Sequence, residues 1–103
     1  MALGSDRRKF THMQALLVLH AAQLGYELAG KWWYRPPDSE VGHKKSLHHL
    51  SLAVDFDLYL NGKYLSDGTG HDELHDYWDS IGGNERIEND MNHYSYGDYG
   101  GVR

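Results

Sequence analysis

Leu52 to Leu60 is the stretch that most narrows the folds open to this chain, because its side chains alternate in character residue by residue. Val54, Phe56, Leu58 and Leu60 fall on one face of an extended strand, and Ala53, Asp55, Asp57 and Tyr59 fall on the other. Such a strand buries one face and keeps the other polar, which predicts an antiparallel sheet with one core face. Asn61-Gly62 follows at once, the dipeptide best suited to a two-residue hairpin, and Lys63 to Leu65 reads as the returning strand. The turn fixes the register, and the register fixes the side on which each carboxylate lies.

Upstream, Phe10, Met13, Leu17, Ala21 and Leu24 recur at helical steps, predicting a helix capped by Ser5 or Asp6 and stopped at Gly25. His12 and His20 are expected at its surface or boundary. Tyr26 to Tyr34 reads as extended and ends at Pro36-Pro37, with Asp38 to Lys45 a polar loop. Asp72 to Ile81 predicts a second helix, with Leu74, Trp78 and Ile81 on one face and Gly82-Gly83 as its stop. Asn92 to Tyr96 is a short candidate strand before a loose Gly/Tyr-rich tail. The fold class expected is α+β, a small antiparallel sheet with two packed helices, forming one domain over residues 1–103. The longest apolar run, Ala15 to Leu19, is far short of the roughly 20 residues of a membrane span, and Met1 to Asp6 is too short for a signal peptide. A monomer without a membrane partner is expected.

The chain has eight histidines and no cysteine, so any metal has to be held by imidazole and carboxylate. Its formal net charge of -5 argues against a nucleic-acid partner, which needs clustered Lys and Arg. In Ser46-Leu47-His48 and the strand that follows, a histidine precedes Asp55 by seven residues, a spacing that lets the two converge on one metal. Catalytic zinc takes three protein ligands and leaves one position open, and His93 is the candidate for the third. Asp90, three residues before His93, is placed to act as general base on a water. Asp57 shares the strand face of Asp55 and can orient a ligand imidazole. Ser46 can hydrogen-bond a substrate or cap its loop, and His49 flanks the site.

The pattern Ser-x-His-x6-Asp, followed later by Asp-x-x-His-aromatic, resembles that of the VanY-type zinc D-alanyl-D-alanine carboxypeptidases and L-alanyl-D-glutamate endopeptidases, which include phage endolysins. That resemblance implies zinc held by His48, Asp55 and His93, with Asp90 as catalytic base. Tyr34-Arg35-Pro36 looks like the tripeptide whose arginine holds the substrate oxygen in that family, which implies this role for Arg35. The Trp78 helix with Gly82-Gly83 resembles the one the family places between the halves of its site. The chain departs from the family at Ser51, where Gly is common, at Tyr94, where Phe is usual, and in the short connection from Arg35 to Ser46. The implied substrate is a peptidoglycan stem peptide, and the implied setting is the cytoplasm of an infected host before lysis, with action on the cell wall.

Tyr94, with Tyr96 and Tyr99, is expected to contact substrate by lining a peptide or sugar groove. His71 and His75 share a helix face like the pair in His-Glu-x-x-His proteases, but Asp72 stands where Glu is needed and the pair is expected to be exposed. Two rival functions are a metal-dependent nuclease using His48-His49 and Asn92-His93, and a non-catalytic metal-binding or wall-binding module.

Overall fold

The computed structural model describes residues 3–36 and 46–100, so the expected loop at Asp38 to Lys45 lies outside the described residues. The elements follow as α1 (Leu3–Gln23), β1 (Tyr26–Trp32), a 3-10 turn (Leu47–Leu50), β2 (Ala53–Leu60), β3 (Lys63–Tyr64), α2 (His71–Ser80) and β4 (His93–Ser95). The described residues form an α+β fold with two helices and a four-stranded antiparallel sheet.

β2 is the organising strand. β1 runs along one of its edges, and β3 and β4 share the other, β3 pairing at Tyr59 and Leu60 and β4 at Ala53 to Asp55. The Asn61-Gly62 turn has positive φ at both residues, 52° and 77°, which matches the twist of the strands it joins. Val54, Phe56 and Leu58 are buried as the alternation requires, but Leu60 is exposed because the hairpin end reaches past the helices that cover the sheet.

Phe10, Met13, Leu17 and Ala21 of α1 meet Leu74 and Trp78 of α2 and the inner strand face in one apolar cluster. Trp78 stands edge-on to Phe10 at 6.0 Å and to Tyr94 at 5.7 Å. The first helix begins at Leu3, before the expected cap. Asp6 instead accepts a 2.6 Å hydrogen bond from the Tyr99 hydroxyl, which ties down a tail expected to be loose. Leu24 lies beyond the last helical residue and is exposed, not core.

α2 ends in a six-residue closing turn, with Gly83 N–H bonding the Trp78 carbonyl at 2.9 Å and Gly82 N–H that of Asp79 at 3.2 Å. Gly82 supplies the left-handed residue that this ending requires, at φ 99°. Gly83 answers a different need, since a Cβ there would lie 2.0 Å from Trp78 Nε1, and that indole is fully buried and donates to the Ser95 carbonyl. Gly83→Ala should therefore cost about 1–3 kcal/mol through overpacking, read from urea unfolding. An unchanged midpoint would mean that the indole can step aside.

Candidate metal centre

The outer face of β2 is covered at one end. Ala53 and Ser95 are buried there, and Asp55 and His93 are cross-strand partners side by side. The bulge that precedes them on β1 matters: Gly30 pairs with Phe56 and Trp32 with Asp55, so Lys31 and Trp32 together oppose one step of β2. The chain then turns over the sheet face. Arg35 N–H donates to the His48 carbonyl at 3.1 Å, and the ring of His49 hydrogen-bonds the Arg35 carbonyl at 2.5 Å. These bonds lace residues 33–35 to the 3-10 turn and bring two more side chains onto Asp55.

His48 Nε2 lies 3.2 Å from Asp55 Oδ1, and His93 Nδ1 lies 3.2 Å from the same oxygen. One ligand atom from each residue falls within 4.8 Å of the others. A tetrahedral site with bonds of roughly 2.0–2.1 Å needs ligand-to-ligand distances of roughly 3.3–3.4 Å, so two edges are already set. The tautomer of His48 points the same way. Its Nδ1 is 3.0 Å from the Trp33 carbonyl, which only accepts, so Nδ1 holds the proton and Nε2 turns toward a carboxylate oxygen. Two acceptors face one another unless a cation or a further proton lies between them. A carbonyl fixing the far nitrogen of an imidazole is also the usual support for a ligand histidine. His48, Asp55 and His93 can thus hold a metal ion.

Burial alone pushes the Asp55 carboxyl up, but hydrogen bonds and charge from His48 and His93 outweigh it and hold the group well below the usual carboxylate range. Arg35 is buried, its guanidinium 3.8 Å from Asp55 Oδ2 and 5.1 Å from the centre of the Trp32 ring. Its Nε finds no hydrogen-bond partner among the described residues, nor does the buried Nε2 of His93. Asp90 is exposed at the rim. No hydrogen bond joins its carboxyl to the three among the described residues, but desolvation raises the group above its ordinary value, with His93 pulling down and Asp55 pushing up.

Two expected site residues, Tyr94 and Asp57, are placed elsewhere, and Ser46 takes the capping role of its two expected ones. Tyr94 is fully buried, because it neighbours His93 on a strand and must face the opposite way, into the core beside Val54. It contacts no groove, and Tyr96 and Tyr99 pack against the same core. Ser46 is buried and caps the 3-10 turn, its Oγ accepting from His48 N–H at 3.2 Å. Asp57 makes no hydrogen bond to His48 or His93 among the described residues, and its charge acts on His71 instead. His71 and His75, expected at the surface, are both buried. His75 stacks on Tyr94 with ring centroids 4.1 Å apart, and its Nε2 donates to the Met91 carbonyl at 2.7 Å. The roles of His49 and of the Trp32 ring under Arg35 carried no signal in the sequence beyond proximity.

Burial pushes the His75 imidazole down to about 4 and lowers that of His71 as well. A histidine depressed in the folded state binds fewer protons than in the unfolded chain, where its pKa is about 6.5. Its contribution is therefore complete above pH ~6.5 and is lost as pH falls toward 4, up to about 3 kcal/mol for His75. In chelator, unfolding free energy should fall across that window, and His75→Gln should flatten the fall. A slope that survives the substitution would show that this ring is not held neutral.

No helix among the described residues is long and apolar enough to cross a membrane. No family model, curated protein or solved structure matches the chain.

Proposed function

We propose that the chain is a zinc peptidase that hydrolyses an amide bond in peptidoglycan stem peptides, in the manner of a phage endolysin. The observation that carries this reading is the convergence of His48 Nε2 and His93 Nδ1 on one oxygen of Asp55, each at 3.2 Å, with the Arg35 guanidinium beside them. An all His/Asp set without sulfur suits a catalytic zinc better than a structural one, because three protein ligands leave a position open. When bound, zinc supplies Lewis acidity toward the scissile carbonyl and toward water.

The chain's own residues divide the remaining work. His48 is locked in place through Trp33 and keeps Nε2 aimed inward. Asp90, at the rim with its proton affinity raised, takes a proton from the attacking water and returns it to the departing amine. Arg35, its guanidinium held over Trp32 beside Asp55, donates to the oxygen on which negative charge develops. The peptide substrate follows from the resemblance of the three motifs to the VanY-type enzymes.

Incubation of zinc-loaded protein with defined muropeptides, analysed by mass spectrometry, should release fragments cut at one amide bond, and chelator should stop the release. Intact muropeptides alongside one equivalent of bound zinc would favour a non-catalytic metal-binding module. Metal-dependent nicking of plasmid DNA with intact muropeptides would favour a nuclease.

A further inference from the structure

β3 and β4 pair with different lengths of the same edge of β2, and the bonds from Phe56 N–H to the Asn92 carbonyl at 2.9 Å and from Leu65 N–H to the Leu58 carbonyl at 2.8 Å carry the two segments toward each other on either side of Asp57. A cleft of about 560 Å³ opens where these two segments approach and reaches Asp90 at the rim of the metal centre. Asp57, Asp67, Asp72, Glu88 and Asp90 line it, and among the described residues no lysine or arginine does. Two of these carboxylates already have partners, Asp72 in Arg86 at 3.0 Å and Asp67 in the Thr69 N–H at 3.0 Å. Asp57, Glu88 and Asp90 accept no hydrogen bond through their carboxylates from the described residues, which leaves a wall rich in acceptors.

His71 supplies the complementary feature. It is only 3% exposed, and it lines the cleft. Its Nδ1 is 2.7 Å from the hydroxyl of Tyr94, which is itself fully buried. That hydroxyl proton has no other acceptor among the described residues, so Tyr94 donates to Nδ1 and the neutral imidazole carries its own proton on Nε2. Nε2 has no hydrogen-bond partner among the described residues, and it is not among the polar atoms sealed from solvent without one. A nearly buried side chain on the cleft wall thus keeps one donor without a partner among the described residues, beside carboxylates that line the same cleft.

We infer that this cleft binds the portion of a peptide substrate that carries a primary ammonium group beside an amide. Asp57 and Glu88 face the ammonium, and His71 Nε2–H donates to the neighbouring amide oxygen. Tyr64, half-exposed on the same wall, offers a ring face to the same cation. The inference rests on the peptidase reading for the identity of the ligand as a substrate, since Asp90 is common to cleft and metal centre. It accounts for the acidic lining, which the chemistry at the metal does not require.

The test titrates acetyl-L-lysyl-D-alanine and its Nε-acetylated counterpart into the full chain, with zinc and again in chelator, while imidazole ¹⁵N–¹H signals are followed. The free ammonium should bind at least roughly tenfold more tightly than the acetylated form, as loss of a charge-assisted hydrogen bond implies. The His71 signal should move on binding, and Glu88→Gln should erase most of the difference. Glu88 is exposed, so this variant keeps the fold. Equal binding of the two peptides, or an undiminished preference in both Glu88→Gln and Asp57→Asn, would overturn the inference. Ammonium preference in chelator without any muropeptide cleavage in zinc would support the cleft and remove the peptidase reading. Cleavage that is indifferent to the ammonium would do the reverse.

Discussion

Asp90→Asn should lower muropeptide turnover about 10³-fold, within the range of roughly 10²–10⁴ that general-base catalysis contributes, while leaving one equivalent of bound zinc. The substitution keeps the side chain's volume and removes only its basicity. The turn that carries it is set by backbone bonds, from Asp90 N–H to the Ile87 carbonyl at 2.9 Å and from His93 N–H to the Asp90 carbonyl at 3.1 Å, and neither uses the carboxylate. His93 should therefore stay beside Asp55. Desolvation lifts the Asp90 carboxyl above its ordinary value, so the acid limb of the wild-type rate profile should lie above that of a solvated aspartate, at about 3.9. Turnover equal to wild type with zinc retained would remove Asp90 from the chemistry.

Asp55→Ala should abolish zinc binding and the stabilisation that comes with it. At zinc concentrations about 1,000 times the dissociation constant, a ligand that binds only the folded state stabilises by roughly 4 kcal/mol, and each kcal/mol is worth about 4–8 °C in a domain of this size. Wild-type protein should melt about 15 °C or more higher in zinc than in chelator, and the variant should melt alike in both. Asp55 is the member whose loss matters most because both imidazoles address the same one of its oxygens, and Arg35 lies beside the other. Elemental analysis gives the second reading: a full equivalent of zinc on the variant would place the metal elsewhere.

The face of β2 that carries Asp55, and the hairpin that follows, were legible because a period of two leaves little freedom once a turn sets the register. The alternation from Leu52 to Leu60 placed Asp55 opposite the core face, and the structure has it there. The same rule, applied to β4, would have turned Tyr94 inward as soon as His93 was turned outward. His71 and His75 were misread for a related reason. They stand at helical spacing with Leu74 and Trp78, so four residues share one buried face, whereas Asp72 and Glu73 between them made the segment look like a solvated helix start. Leu24 and Leu60 failed differently, because periodicity does not say where an element outruns its packing partner. The cleft beside the β2 edge was not legible at all, since it depends on where two segments distant in sequence approach along a third.

The bulge at Lys31 makes that position count in an unusual way. Its side chain is exposed, so almost any residue could stand there. What cannot be spared is the residue's existence: without it, Gly30 and Trp32 meet Phe56 and Asp55 as a regular ladder, and the bend that turns the chain over the sheet face is lost. Arg35 would lose the backbone path that leads it to Asp55. A chain of this design can drift freely in letters at position 31 while its length between Gly30 and Arg35 stays locked, so a one-residue deletion there is expected to do more harm than any substitution at the same place.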